Sequence, residues 1–87
     1  MKFESKIEVT FKGGMKRVLK SPGELCKIDR NRRALFVFKN LQVFGGYSDG
    51  EVDDDGDFAV FPTTMHGMAL PFDFLLGWCY EKPIKKR

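Results

Sequence analysis

Reactive and metal-ligating side chains are scarce in this sequence: it has one His and two Cys in 87 residues. A structural zinc site takes four ligands, mostly Cys and His. Cys26, His66 and Cys79 are too few and have no C-x-x-C spacing, so neither a zinc module nor a thiol redox motif is expected. His66 beside either cysteine could be drawn as a nucleophile and its base, but no spacing ties them together. Gly45-Gly46 lacks the Lys and Ser/Thr of a phosphate-cradling loop. Catalysis, a bound metal and a cofactor are therefore not expected. No apolar run reaches the ~18–20 residues that span a bilayer. Met1-Lys2-Phe3-Glu4-Ser5-Lys6 alternates charge and apolarity and is unlike a signal peptide. The expectation is a soluble, cytoplasmic protein with reduced thiols. Cys26 and Cys79 both have apolar neighbours, which points to buried, unreactive roles, with a disulfide between them as the alternative.

Phe is abundant: nine of the twelve aromatic residues are Phe. A chain this short buries only about 60–65% of its unfolded surface, and large rings are an efficient way to fill a small core. The length suits one domain, expected over residues 1–81, followed by a basic tail over 82–87.

The formal net charge of +3 conceals a segregation. Residues 1–44 carry eleven Lys or Arg against four acids, residues 45–81 carry eight acids and no Lys or Arg, and the tail adds four basic residues. Two blocks of opposite sign give a dipolar surface that steers encounter with a charged partner, unless the blocks pack together and cancel.

Along the chain, Phe3, Ser5, Ile7, Val9 and Phe11 alternate with polar residues, the period of a half-buried strand. Gly13-Gly14 reads as a hairpin turn and Met15 to Lys20 as the returning strand. Ser21-Pro22-Gly23-Glu24 has the Pro and Gly placement of a type II turn. Leu25 to Asp29 reads as a short strand, Arg30 to Arg33 as a polar hairpin tip, and Ala34 to Phe38 as the most buried strand. Leu41 to Phe44 continues or follows it, and Gly45-Gly46 breaks the pattern. Residues 47–57 read as an acidic loop with a turn at Asp55-Gly56, Phe58 to Phe61 as a strand closed by Pro62, and Thr63 to Pro71 as a loop. Residues 72–80 fit both a helix stripe and a strand; Gly77 disfavours a long helix, so a helical turn followed by a closing strand is expected.

Five to six short antiparallel strands with frequent turns predict an all-β fold, and the size favours a small barrel. The stretch Gly23 to Asp29, Arg30 to Arg33, then Ala34 to Phe38 resembles the hairpin of SH3-like small barrels, including KOW and Tudor-type modules. The resemblance spans about sixteen residues. It implies an SH3-like fold and carries no functional residues.

Two charged constellations stand out. Asp49, Glu51, Asp53, Asp54, Asp55 and Asp57 form the acidic one. Glu51, Asp53 and Asp55 match the first positions of a calcium loop, but Pro62 occupies the place of its bidentate acid. A solvated acidic tip that docks on a basic protein surface is the expectation. Lys27, Arg30, Arg32, Arg33 and Lys39, with Tyr47, form the basic one, in a hairpin over residues 27–39. Basic β-hairpins with a nearby aromatic can hold a nucleic-acid backbone and stack a base. The function expected is a non-catalytic regulatory, inhibitory or adaptor module that contacts a protein partner through charged loops. The alternative is an RNA- or DNA-binding barrel.

Overall fold

The computed structural model describes residues 7–11, 13–62 and 67–82. Seven strands run in the order β1 (Ile7–Thr10), β2 (Lys16–Leu19), β3 (Ala34–Phe38), β4 (Val43–Gly46), β5 (Asp57–Val60), β6 (Met68–Pro71) and β7 (Leu75–Tyr80). The fold is all-β, and every named strand pair is antiparallel. Among the described residues the strands make three sheets, β1-β2, β4-β3-β7 and β5-β6, and no closed barrel. Single bridges, Lys20 to Trp78 and Tyr47 to Phe61, join the outer hairpins to the central sheet.

The central strand is apolar at every position, and both of its faces are covered. Ala34, Phe36 and Phe38 face a large core with Leu25, Ile28, Phe58, Val60, Leu75 and Trp78. Leu35 and Val37 face a smaller one with Leu19 and Cys79, covered by Ile7, Val9 and Phe11 of the first hairpin. That hairpin turns at Gly13 and Gly14, as its sequence predicts, and pairs Ile7 with Leu19 and Val9 with Arg17. Phe3 lies outside the described residues.

Phe58 organises the larger core. Its ring lies 5.5 Å from that of Phe36, 6.1 Å from Phe38 and 6.3 Å from Phe72. Contacts at these separations favour tilted or offset rings.

The ambiguity of residues 72–80 has a structural origin. A 3-10 turn over Phe72–Phe74 leads directly into β7, as expected. The register with β3 then slips, from Val37 opposite Gly77 to Phe38 opposite Leu75. One extra residue, Leu76, enters β7 and reverses the alternation there. Leu75 and Trp78 consequently share one face, and Leu76 and Cys79 the other. A bulged strand thus imitates the three-to-four spacing of a helix.

Four expectations are corrected. Leu25 to Asp29 is not a strand: Pro22–Lys27 forms a 3-10 helix. The Glu24 carboxylate accepts the Ser21 N–H at 3.3 Å, and Pro22 occupies the first turn, where its missing N–H costs nothing. Leu25 and Ile28, three apart, go inward while Cys26 and Lys27 face solvent. Residues 27–39 are therefore not a hairpin but a helical turn, a loop and the strand β3. Gly45 and Gly46 do not break the pattern, because both lie in β4 opposite Leu35 and Ala34. The end of the stretch assigned to a loop, Met68–Pro71, pairs with β5 as a strand, which brings the number of described strands to seven; residues 63–66, with Met65 and His66, lie outside the described residues.

Gly50 shows how closely the acidic segment is seated. Its φ is +76°, and a Cβ there would overlap the Leu25 carbonyl oxygen. Gly56 has a similar φ of +84° with open space around it. Gly50→Ala should therefore unfold far more readily in urea than Gly56→Ala, whose cost is the left-handed backbone alone, about 1–2 kcal/mol. Phe58→Ala should cost about 3–5 kcal/mol, a large share of the roughly 4–13 kcal/mol expected for a chain of this size. The single Trp, buried Trp78, supplies the fluorescence readout.

Candidate functional site

Two clusters with charged side chains lie at the two ends of the central sheet. At the end where β3 begins and β7 finishes, cations converge on Tyr80–Lys82. Arg17 donates to the carbonyls of Tyr80 and Glu81, at 3.1 and 3.0 Å. The Arg32 guanidinium lies 3.7 Å from the centre of the Tyr80 ring and donates to the Lys82 carbonyl at 2.8 Å. Arg33 pairs with the Glu81 carboxylate at 2.7 Å. The pair is partly exposed, so it contributes at most about 1 kcal/mol. Arg32, Arg33, Tyr47, Glu81 and Lys82 line a polar cleft of ≈ 400 Å³.

Three members of the basic constellation, Arg32, Arg33 and Tyr47, are thus brought together. Lys27 and Arg30 are exposed beyond them on the helical turn and the loop. Lys39 is not part of the cluster, since all of β3 separates it from Arg33, about 17 Å of extended chain. Arg17 and Tyr80 join the cluster without having stood out in the sequence, and Lys82, read there as the first residue of the basic tail, joins it too. The reading of Met15 to Lys20 as a returning strand placed Arg17 in a strand, but nothing local indicated that it would reach across to Tyr80 and Glu81.

The opposite end carries an apolar groove of ≈ 470 Å³, walled by Phe38, Phe44, Leu70, Pro71 and Phe74, with Lys39, Asn40 and Gln42 on its rim. Phe74 is 61% exposed and Leu41, at the tip of the β3–β4 turn, 71%. Leu41 has a φ of +69°, unusual for a side chain other than Gly or Asn. Asn40 supports the turn by accepting the Gln42 N–H on its side-chain oxygen at 3.0 Å. No motif in the sequence pointed to this groove, because its walls come from both hairpins and the 3-10 turn.

The acidic constellation divides. Asp49 and Glu51 follow Tyr47 on the segment that packs under Leu25 through Gly50. Asp53 to Asp57 form a turn against the groove wall: Asp57 pairs with Pro71, and the Gly56 carbonyl accepts the Phe72 N–H at 2.9 Å. Asp53 builds this turn, its Oδ1 accepting the N–H groups of Asp55 and Asp57 at 2.9 and 3.0 Å. Asp54 and Asp55 are exposed, whereas Asp57, placed at the start of β5, is half-buried and not fully solvated. Among the described residues the one ion pair is Arg33 to Glu81, so no Lys or Arg there neutralises the acidic turn. Nor do three of its carboxylates, with or without Cys or His, converge as metal ligands among the described residues.

Both described cysteines are free. Cys79 is buried as expected, but Cys26 is exposed, because the 3-10 helix turns Leu25 and Ile28 inward in its place. Burial pushes the Cys79 thiol above its ordinary range, against the pull of the Arg17 and Lys20 charges.

No protein-family model matches the chain, and no curated protein or solved structure is significantly similar to it. No helix among the described residues is long and apolar enough to cross a membrane.

Three outcomes follow from this geometry. A thiol reagent near pH 8 should modify Cys26 rapidly and Cys79 only at the rate of unfolding, as mass spectrometry of the labelled chain would show. Once the pH passes the unfolded thiol's value of about 8.5, the unfolded chain releases the Cys79 proton and the native chain retains it. Stability should fall with rising pH there, by a component that Cys79→Ala removes. Leu41→Asn should raise stability by about 1 kcal/mol in chemical denaturation, since Asn tolerates the left-handed backbone better.

Proposed function

We propose that this chain is a non-catalytic regulatory, inhibitory or adaptor module that docks on a protein partner through its acidic turn and the adjoining groove. The observation that carries the reading is the placement of an acidic turn, without an ion-pair partner among the described residues, directly against the wall of an apolar groove. Well-packed apolar anchors supply most of the affinity at protein interfaces. Exposed charges around them set the rate and orientation of encounter. The groove with exposed Phe74, beside the turn that carries exposed Leu41, has the first property, and Asp54, Asp55 and the exposed Asp73 have the second. An SH3-like roll, its sheets linked through the Lys20–Trp78 and Tyr47–Phe61 bridges, is the scaffold we assign to this module.

An exposed Leu held in a left-handed turn supports the same reading. A residue that costs stability and faces water serves the fold poorly and a partner well. Asp49 and Glu51 contribute to the long-range field, and Asp53 and Asp57 shape the turn.

The test is affinity capture from cell lysate, with and without nuclease, followed by binding kinetics on the protein captured. The double variant Asp54→Lys/Asp55→Lys should slow association and flatten its salt dependence, with little change in dissociation. Phe74→Ala should speed dissociation about ten-fold, the equivalent of about 1.4 kcal/mol, while the circular dichroism spectrum stays unchanged. Unaltered kinetics in both variants at low salt would rule the groove and its acidic turn out as the docking surface.

A further inference from the structure

The cleft at the other end of the sheet does not belong to the docking surface just described. We infer that it binds a nucleoside phosphate, the chemistry common to a free nucleotide and a single-stranded nucleic acid. Its charge comes from three cations, Arg32, Arg33 and Lys82, against one carboxylate, Glu81. The way these cations are held matters more than their number. Arg32 is fixed by a carbonyl and by the face of Tyr80, groups that orient a guanidinium without cancelling its charge. Arg17, which is not among the residues lining the cleft, is likewise held by carbonyls, those of Tyr80 and Glu81. Only Arg33 meets a carboxylate, and its guanidinium lies against Gly45, where a Cβ would come within 3.0 Å of both Nη atoms. The two guanidinium groups that line the cleft are therefore oriented, and each has N–H donors beyond the one already engaged, at Arg32 Nη2 and Arg33 Nη1, with which to meet a phosphate.

Tyr47 supplies the second element of recognition. Its ring is exposed and lines the cleft beside the guanidinium groups. An aromatic face next to ordered cations suits a base that stacks while its phosphate is gripped. Asp49 and Glu51 follow Tyr47 in the chain and oppose an anion there; binding should nonetheless be strongest at low salt, because the attraction of Arg32, Arg33 and Lys82, which line the cleft itself, is then least screened.

The experiment pairs two probes. A fluorescein-labelled ten-nucleotide oligo-dT or oligo-U is titrated by anisotropy, and ATP is titrated by calorimetry, both at low salt. Saturable binding of at least one probe is expected. A strand bound much more tightly than ATP identifies single-stranded nucleic acid as the source of the phosphate, and similar affinities identify a free nucleotide. Tyr47→Ala should weaken the preferred probe by about ten-fold or more, with Tyr47→Phe restoring it, as stacking requires. If the strand is the ligand, Lys82→Ala should lower the slope of log affinity against log salt by about 1; if ATP is, it should weaken ATP binding several-fold. Both side chains are exposed, and circular dichroism checks that the variants fold. Absence of saturable binding by either probe, or binding that Tyr47→Ala and Lys82→Ala leave unchanged, overturns the assignment.

Discussion

The described part of this molecule is arranged around one strand that is covered on both faces. Ala34–Phe38 is apolar at five consecutive positions, and such a strand needs a cover on each face. The first hairpin covers the face of Leu35 and Val37. The 3-10 turn of Pro22–Lys27 and the β5–β6 hairpin cover the face of Phe36 and Phe38. Each cover is too small to be stable alone, since an isolated two-stranded hairpin is marginal in water. The central strand thus couples pieces that have little stability of their own, and Phe58 is where the larger cover meets it.

The same layering separates the charges. The core occupies the middle of the central sheet, so charged side chains collect at its two ends and on the outer loops. Carbonyls at the close of β7 gather Arg17 and Arg32 from different elements and leave their charge intact. At the far end, Asp53 uses its carboxylate to close a tight turn, so that turn is built partly from the acidic residues it displays. A polar cleft with net positive charge and an apolar groove beside acidic residues are therefore both by-products of how the sheet is covered, and their contrasting chemistry is the basis for assigning them different ligands.

Much of this was open to reading in the sequence. The alternation from Ile7 to Phe11, the Gly13-Gly14 turn, the continuous apolar run of β3 and the charge segregation are local patterns, and local patterns follow directly from side-chain order. The short elements went astray where two local readings compete. Ser21-Pro22-Gly23-Glu24 satisfies a type II turn and a helix N-terminus equally well, and only the burial of Leu25 and Ile28 against the central sheet selects the helix. Met68–Pro71 has too little β signal to be a strand until β5 offers a partner.

By itself, then, the sequence determined the all-β class, the buried central strand and the division into basic and acidic segments, because each rests on neighbours along the chain. Only the tertiary structure decided which charges meet. Arg17 and Lys82 are 65 positions apart and become neighbours through the Lys20–Trp78 bridge and the reach of Arg17 to Tyr80 and Glu81. Lys39 and Arg33, six positions apart, are parted because the strand between them is fully extended. The groove likewise exists only once the β3–β4 turn and the Pro71–Phe74 segment stand face to face, where the Lys39 N–H donates to the Phe74 carbonyl at 2.9 Å, a contact between segments that no local pattern encodes.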